Sequence, residues 1–490
     1  MKIDSTRPET SDKKTSLTFN MSKFSKDVIV YIFGQVILSF FPTFIIAKYL
    51  SMVGYGYWQI FLLYGNFVGI LHLGFLDGVL VRWAGKNITE IGNETRIAFR
   101  FLLLELIIII TPLGFIVHYL FHPPFQWLGT MILIYAFIMC LMTYFIFINQ
   151  ALKKFKLLTL VNIIQDGCFI LFAIVLKISG YFTSSNVIWA YSASYLIVLF
   201  GMILLFWGNL WGKNHSISSL WTYGGMNINI GIFIVLGNFV SASFLTIDRW
   251  MVNNFFPIQQ FAIYAFALSI ALISNTLTGT ISQVLFPYIS NTTQEIRNRA
   301  FYSGKSAFIL LWAFILVLYF PIGKLVEYYL PAYTLSLPII RILVCTISFG
   351  GLIQILHVNY YKVYGKQRLY FAWGLTLLIM SVLLNFLVIK IWGTLESVAI
   401  VMLVSFGVWY IINELCLKST VGESNWELWK SLAIILSYMG AYWITFLLAK
   451  CFLVQMMIYL GCFCLITWLF LRQQIQEYLV MAIGLMKGNK

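Results

Sequence analysis

Fourteen apolar runs follow one another along this chain, near 28-47, 57-81, 99-120, 127-149, 157-179, 186-207, 224-246, 259-285, 303-322, 334-358, 369-390, 396-417, 429-449 and 452-471. A helix rises 1.5 Å per residue, so about 20 apolar residues cross a hydrocarbon layer about 30 Å thick. Inside such a layer every backbone N–H and C=O must be satisfied within the segment, which admits helices here. The expectation is an all-α integral membrane protein with about 14 transmembrane helices. Of the 490 residues 61% are hydrophobic and 10% charged, which excludes a water-soluble enzyme. The short connections leave no room for the external loop that an integral transferase or polysaccharide polymerase would need, and no clustered acid pair supports one.

The 32 Lys and Arg residues carry the topology. Twenty-five occupy the leader, alternate connections and the tail, among them Arg82, Lys86, Arg96, Arg100, Lys305 and Lys366. The intervening connections hold six, Lys48, Lys177, Arg249, Lys324, Lys390 and Lys450, and Arg341 is left deep inside a run. The positive-inside rule then places both termini in the cytoplasm, and an even number of spans agrees with that placement. The net charge of +15 is thus mainly an address rather than a sign of nucleic acid. Residues Met1 to Lys23 read as a flexible cytosolic leader without a cleavage site, and Tyr478 to Met486 as a segment lying on the membrane surface. The seven cysteines form no CxxC pair and read as packing residues, and the five histidines show no metal-ligand spacing.

Lys177-Ile178-Ser179-Gly180 closes the fifth run and Lys390-Ile391-Trp392-Gly393 the eleventh, and the same offset sets Lys153 against Lys366. Six spans separate the pairs, so a duplication would be parallel, about an axis along the membrane normal. The alternative is that Lys-Ile-x-Gly suits any helix end.

Ala47-Lys48-Tyr49-Leu50 followed by Gly54-Tyr55-Gly56-Tyr57 resembles the opening signature of bacterial polysaccharide transporters. Asp248-Arg249-Trp250, Ile263-Tyr264-Ala265, Leu285-Phe286-Pro287-Tyr288-Ile289-Ser290, and Gly365-Lys366 with Asn385 and Gly393 are similar to that family's pattern in order and spacing. Glu396 departs from it, standing where the family usually has a small residue. The resemblance covers Met21 to Leu471 and implies the multidrug/oligosaccharidyl-lipid/polysaccharide (MOP) exporter superfamily, with a MATE-like fold of two six-helix lobes plus two C-terminal helices. It divides the chain into a leader (1-23), an N-terminal lobe (24-215), a C-terminal lobe (216-420), two additional helices (421-471) and a tail (472-490). It also implies a flippase for polyprenyl-pyrophosphate-linked O-antigen, capsule or exopolysaccharide repeat units in a bacterial cytoplasmic membrane. Expected partners are the lipid-linked glycan, membrane lipids and the polymerase and other proteins of polysaccharide assembly, with no nucleic acid.

A lipid-linked glycan needs a polar, cationic path through the bilayer, and ionisable residues within spans are candidates for it. Arg341 is the deepest cation, on nearly the same helix face as Ser348, and suits a pyrophosphate or an acidic sugar; snorkelling to the interface is the alternative. Lys48 and Arg249 end the first helix of each half and read as cations at the outer mouth, or as simple anchors. Arg82 sits with Arg100 where loading begins, an arrangement that anchoring explains nearly as well. Asp166 follows Thr159 and Asn162 on one polar stripe expected to face the cavity, and Asp77 shares the second run with Gln59 and Asn66. Both acids are candidates for coupling to H+ or Na+; no other cofactor is expected. Further polar stripes run through Gln35, Ser39 and Thr43, and through Ser269, Thr276, Thr280 and Gln283. Glu105 and Glu414 read as solvated or locally paired near cytosolic helix ends. A cationic-drug antiporter of the same fold is the main rival and would favour carboxylates and aromatics in the cavity; a non-transporting scaffold would not need the polar stripes.

Overall fold

The computed structural model describes residues 42–83, 86, 88–152, 154–212, 216–244, 246–290, 292–422 and 424–476, and among them every regular element is a helix. Helical residues 42–49 form α1; then come α2 (Met52–Gly65), α3 (Phe75–Trp83), α4 (Ile88–Leu120), α5 (Phe125–Ala151), α6 (Phe155–Ile178), α7 (Ser184–Leu205) and the short α8 (Trp207–Leu210). The chain continues through α9 (Ile217–Phe244), α10 (Ile247–Phe255), α11 (Ile258–Ser290), α12 (Gln294–Val317), α13 (Tyr319–Tyr329) and α14 (Leu337–Leu352). It closes with α15 (Val358–Val363), α16 (Gln367–Ile391), α17 (Leu395–Val421), α18 (Asn425–Leu448) and α19 (Phe452–Phe470).

Eleven described helical segments are long and apolar enough to cross a bilayer, or twelve if one bent pair counts as a span. The protein is therefore a multi-pass membrane protein, although fourteen spans are not reached by this measure. Most of the first run precedes residue 42, outside the described residues, and the eighth contributes an apolar stretch, Ile258–Ser274, shorter than a span. The leader, the segment Tyr478 to Met486, and Gln35 and Ser39 also lie outside the described residues.

Helix ends follow from local chemistry. Thr183, Thr394 and Ser424 accept from the backbone N–H three residues on and start α7, α17 and α18. Glu396 stands in the first turn of α17, where a carboxylate suits the helix dipole. Gly180 and Gly393, the glycines that the expected duplication would pair, are both left-handed, at φ 77° and 60°, just past α6 and α16. The two segments thus stop their helices alike, as any glycine-terminated helix also does.

The second run is one apolar stretch in sequence but not one rod. A 3-10 turn, Val68–His72, joins α2 to α3 across a 64° bend, with Leu73 and Gly74 both at positive φ. Leu73 pays the steric cost of a left-handed residue, and the fold holds it there by packing the next helix backbone to backbone on α9. A Cβ on Gly231 would lie 1.9 Å from the Gly74 carbonyl oxygen, and one on Gly78 2.0 Å from that of Asn227. Only glycine permits that approach. A second irregularity is a π-turn, Ile353–His357, between α14 and α15. Its loosened ladder frees the Gln354 carbonyl, which accepts from the Ser282 hydroxyl of α11 at 2.8 Å.

Helices α3, α4, α5 and α7 bury one apolar core with Phe75, Phe101 and Phe145 at its centre. The larger core joins α10–α17 and also takes in α2. Helix α9, the first of the expected second lobe, lays its length on α3 and α4 and also meets α16, so it bridges the two groups.

Candidate functional site

The polar and charged groups that sequence alone does not explain collect along the seam where α2, α3 and α4 meet α9, α10 and α11. At the end opposite the basic connections, Lys48 of α1 reaches α13, donating to the Tyr329 carbonyl at 2.6 Å with its ammonium 4.5 Å from that ring. Below it Tyr55 of α2 meets Tyr333 edge-on at 5.4 Å, and Tyr333 packs on Phe266 of α11 at 4.6 Å. Gln59, one turn deeper, donates to Tyr55 Oη at 2.7 Å and to Ser269 Oγ of α11 at 3.3 Å.

Arg249 and Asp248 of α10 lie beside this cluster, both buried. Tyr264 donates to Asp248 Oδ2 at 2.6 Å, while Arg249 lies in the electrostatic field of Asp248, Tyr264 and Tyr55. Three buried atoms here have no hydrogen-bond partner: Gln59 Oε1, Asp248 Oδ1 and Arg249 Nε. Buried polar atoms are normally satisfied, so a half-satisfied network of this kind offers bonds to a ligand or water. Lys48 and Arg249, expected as equivalents if the halves are duplicated, therefore differ: the first is exposed and bonded across the seam, the second enclosed.

At the basic end the seam closes around Glu94 of α4. Its Oε2 accepts from Trp83 Nε1 at 3.0 Å, from Tyr223 Oη of α9 at 3.2 Å and from Arg82 Nη2 at 3.4 Å, and Lys86 stands 3.9 Å from the other oxygen. Arg82 also donates to Asn227 of α9 at 3.4 Å and lies 5.1 Å from the Tyr223 ring. Arg82, an expected loading residue, is thus tied to both sides of the seam. Arg100 is half-buried and donates to the Gly212 carbonyl.

Between the two ends the bend of the second span opens a cavity of about 240 Å³ lined by Asn66, His72 and Asp77, with Thr143 of α5 and Asn238 of α9. Asp77 is buried in the first turn of α3, 3.9 Å from His72 Nδ1.

The remaining expected residues stand apart from the seam. Arg341 projects from α14 onto α18, its guanidinium 3.6 Å from the Phe446 ring centre and 5.7 Å from that of Trp443. Leu343, Thr346, Ile347 and Gly350, on the other side of α14, line a separate apolar cavity of about 230 Å³ against α11, α16 and α17. Ser348 bonds within its own helix. Asp166 is half-buried on α6 in the field of Tyr191 and Tyr195 of α7, with neighbouring Gln165 donating to Ser194; Asn162 of the same stripe is exposed. Thr276, Thr280 and Gln283 have side chains outside the described residues.

Two expectations need correction. Glu105 is not solvated: it is buried and neither carboxyl oxygen has a hydrogen-bond partner. Lys305, counted as a basic anchor, is buried and pairs at 2.6 Å with Glu414, whose other oxygen lies 3.0 Å from His357 Nε2 on the π-turn. Glu414 is paired but wholly enclosed, by partners 109 and 57 residues away, which no local pattern reveals. Glu94 was also missed, though an acid among four cations between residues 82 and 100 was a visible signal. Among the described residues no group of His, Cys, Asp and Glu is arranged to hold a metal.

The helices define a multi-pass membrane protein with the fold of the MOP-superfamily transporters. In particular, the chain is similar to the lipid II flippase MurJ in an inward closed conformation, with TM-score 0.72 and 14% identity over 91% of this chain and 99% of that one. It is similar as well to an inward-facing multidrug resistance MATE family transporter of the MOP superfamily, with TM-score 0.61 and 12% identity over 79% and 94%. A mutant of the Vibrio cholerae MATE transporter VcmN gives TM-score 0.53 and 12% identity over 84% and 100%. No protein-family model matches the chain, and neither does the sequence of any curated protein.

Proposed function

We propose that this protein is a flippase that carries polyprenyl-pyrophosphate-linked oligosaccharide repeat units across a bacterial cytoplasmic membrane by alternating access. The observation that carries the proposal is the single seam closed at both ends, with buried Arg249 beside one closure and Arg82 within the other. A headgroup bearing a pyrophosphate needs donors that form bidentate bonds, which guanidinium supplies. Arg82 engages it on the cytosolic side, Arg249 receives it, and Lys48 leaves Tyr329 as the outer end parts. The fold shared with a lipid II flippase supports a substrate of this kind, and the charge asymmetry supports cytoplasmic termini. No covalent step is involved, and the protein works alongside the polymerase and other assembly proteins.

Arg341 stays in the proposal as a second headgroup contact of the C-terminal helices. If it acts so, Arg341→Lys keeps most transport and Arg341→Ala loses it; full activity of the alanine variant rejects the role. Asp166 and Asp77 are proposed to couple the cycle to H+ or Na+.

The function is tested by deleting the gene and separating lipid-linked oligosaccharide by leaflet. Accumulation of repeat units facing the cytosol, with loss of surface polysaccharide, is expected; intact polysaccharide with no accumulation rejects the proposal. The antiporter alternative draws on the enclosed carboxyls Glu105 and Asp77, and predicts instead sensitivity to cationic dyes with polysaccharide unchanged.

A further inference from the structure

The apolar cavity between α11 and α14 has no part in the polar seam. Its wall follows α14 from Leu343 through the π-turn to Val358 of α15, roughly 20 Å at about 1.5 Å per residue. A volume of about 230 Å³ spread over that length is a narrow slot, the shape of one hydrocarbon chain rather than of a compact ring system. Leu268 and Leu272 of α11 line it, and Tyr370 of α16 with Phe406 and Trp409 of α17 form an aromatic side. No charged side chain is among the described residues that line it.

Its few polar groups are mostly spent or enclosed. Gln354 Oε1 accepts from Thr278 at 2.6 Å, and the Gln354 carbonyl accepts from Ser282. Thr346 Oγ1 and Trp409 Nε1 are buried without a hydrogen-bond partner. Protein interiors hold few voids larger than a water molecule, and a cavity lined by apolar groups stays dry and takes apolar ligands.

We propose that this slot binds the first isoprene units of a polyprenyl carrier, the part of the chain next to the pyrophosphate. This deepens the proposed function and rests on its lipid-linked cargo. Ser269, which meets Gln59 in the seam, shares one turn of α11 with Leu268 and Leu272, so the seam and the slot lie on two sides of that turn. A headgroup held in the seam makes docking of its own chain intramolecular, at a raised effective concentration that a membrane phospholipid does not have. Each isoprene unit also brings a double bond whose π face suits the unspent Trp409 N–H, which a saturated acyl chain lacks. Phe244, at the C-terminal end of α9, stands ring to ring 4.3 Å from Trp409 and 5.0 Å from Phe406. The helix that bridges the two cores therefore abuts the aromatic side of the slot, where a filled slot bears on the seam. No described residue of α18 or α19 lines it.

The test uses the purified full-length protein in nanodiscs, photolabelled with a polyprenyl pyrophosphate that carries a diazirine in its first isoprene units. Cross-linked peptides are mapped by mass spectrometry. We expect saturable labelling on α11, α14 and α17 that unlabelled polyprenyl pyrophosphate competes away and a higher phosphatidylglycerol content of the nanodisc does not. Thr346→Leu and Ala271→Leu, which fill the slot, lower the labelling several-fold with an unchanged melting midpoint, whereas Leu447→Ala, at an exposed position of α18, retains it. Labelling confined to α18 and α19, competition by phosphatidylglycerol as strong as by the prenyl compound, or full labelling of both folded slot-filling variants overturns the proposal. The wild-type peptide map decides the matter even where a variant fails to fold. If the map is as expected while gene deletion leaves polysaccharide intact, the slot stands and the glycan assignment falls. If deletion traps repeat units on the cytosolic side while the map misses the slot, the slot alone falls.

Discussion

The two ends of the seam are closed by different physics. Opposite the basic connections, the closure is a stack of rings, Tyr55, Tyr333 and Phe266, with one charged group, Lys48, bonded across it. From the bend towards the basic end α3 and α9 touch backbone to backbone through Gly74, Gly78 and Gly231, and at that end one carboxylate, Glu94, gathers donors from both sides. Ring packing is spread over many atoms and is insensitive to salt. A glycine contact depends on a few positions, and a partly exposed carboxylate hub weakens as salt rises. On the proposed function, the basic end is the one that a charged headgroup opens, by offering Arg82 a better anion than Glu94.

The largest effect that distinguishes the two closures is expected from Gly231→Val. Its side chain would start 1.9 Å from the Gly74 carbonyl oxygen, and overpacking costs about 1–3 kcal/mol, of which about 1.4 kcal/mol is tenfold in an equilibrium. The basic end should then stay open: a cysteine placed by Asn227→Cys should label with an impermeant maleimide at least ~10-fold faster, and transport should fall accordingly. Unchanged labelling would mean that this contact is not the closure. Next comes Arg249→Ala, expected to lower transport ~10-fold or more, with Arg249→Lys in between because it keeps the charge but not the fork. Equal loss in both variants would point to folding rather than headgroup binding, which a solubility and melting comparison resolves.

A smaller change is expected from Glu94→Gln, about 2- to 5-fold faster labelling at the basic end and a flatter salt dependence, since the Arg82 and Glu94 side chains are only 25% and 27% exposed. Labelling at the other end should not move. The smallest is Lys48→Met, less than ~2-fold, because an exposed cation contributes little to a closure carried by rings.

Much of this was legible beforehand, and the gaps have physical causes. Apolar runs mark helices because a bilayer demands them, so the helical membrane fold follows directly. The bend at Val68–Gly74 does not, because an apolar run reads the same whether straight or broken; Gly69, Gly74 and Gly78 were the available hint. Arg249 and Arg82 were named as candidates that helix-end anchoring explains nearly as well; the structure places both along the seam. Arg341 was chosen for depth, yet depth along a helix says nothing of direction around it, and its side chain lies on Phe446. Lys305 was absorbed into a charge count because its partners, Glu414 and His357, are distant in sequence. Charge patterns report sidedness well and pairing poorly.

The central claim is that one seam, opening at alternate ends, moves a lipid-linked glycan. It is tested most directly in proteoliposomes carrying a fluorescent polyprenyl-pyrophosphate oligosaccharide, by following how much of the label becomes accessible to a membrane-impermeant quencher. Vesicles with the wild-type protein should lose the protected inner-leaflet fraction over time, whereas vesicles with Arg249→Ala should stay near the protein-free level. Wild-type vesicles indistinguishable from protein-free ones would contradict the account.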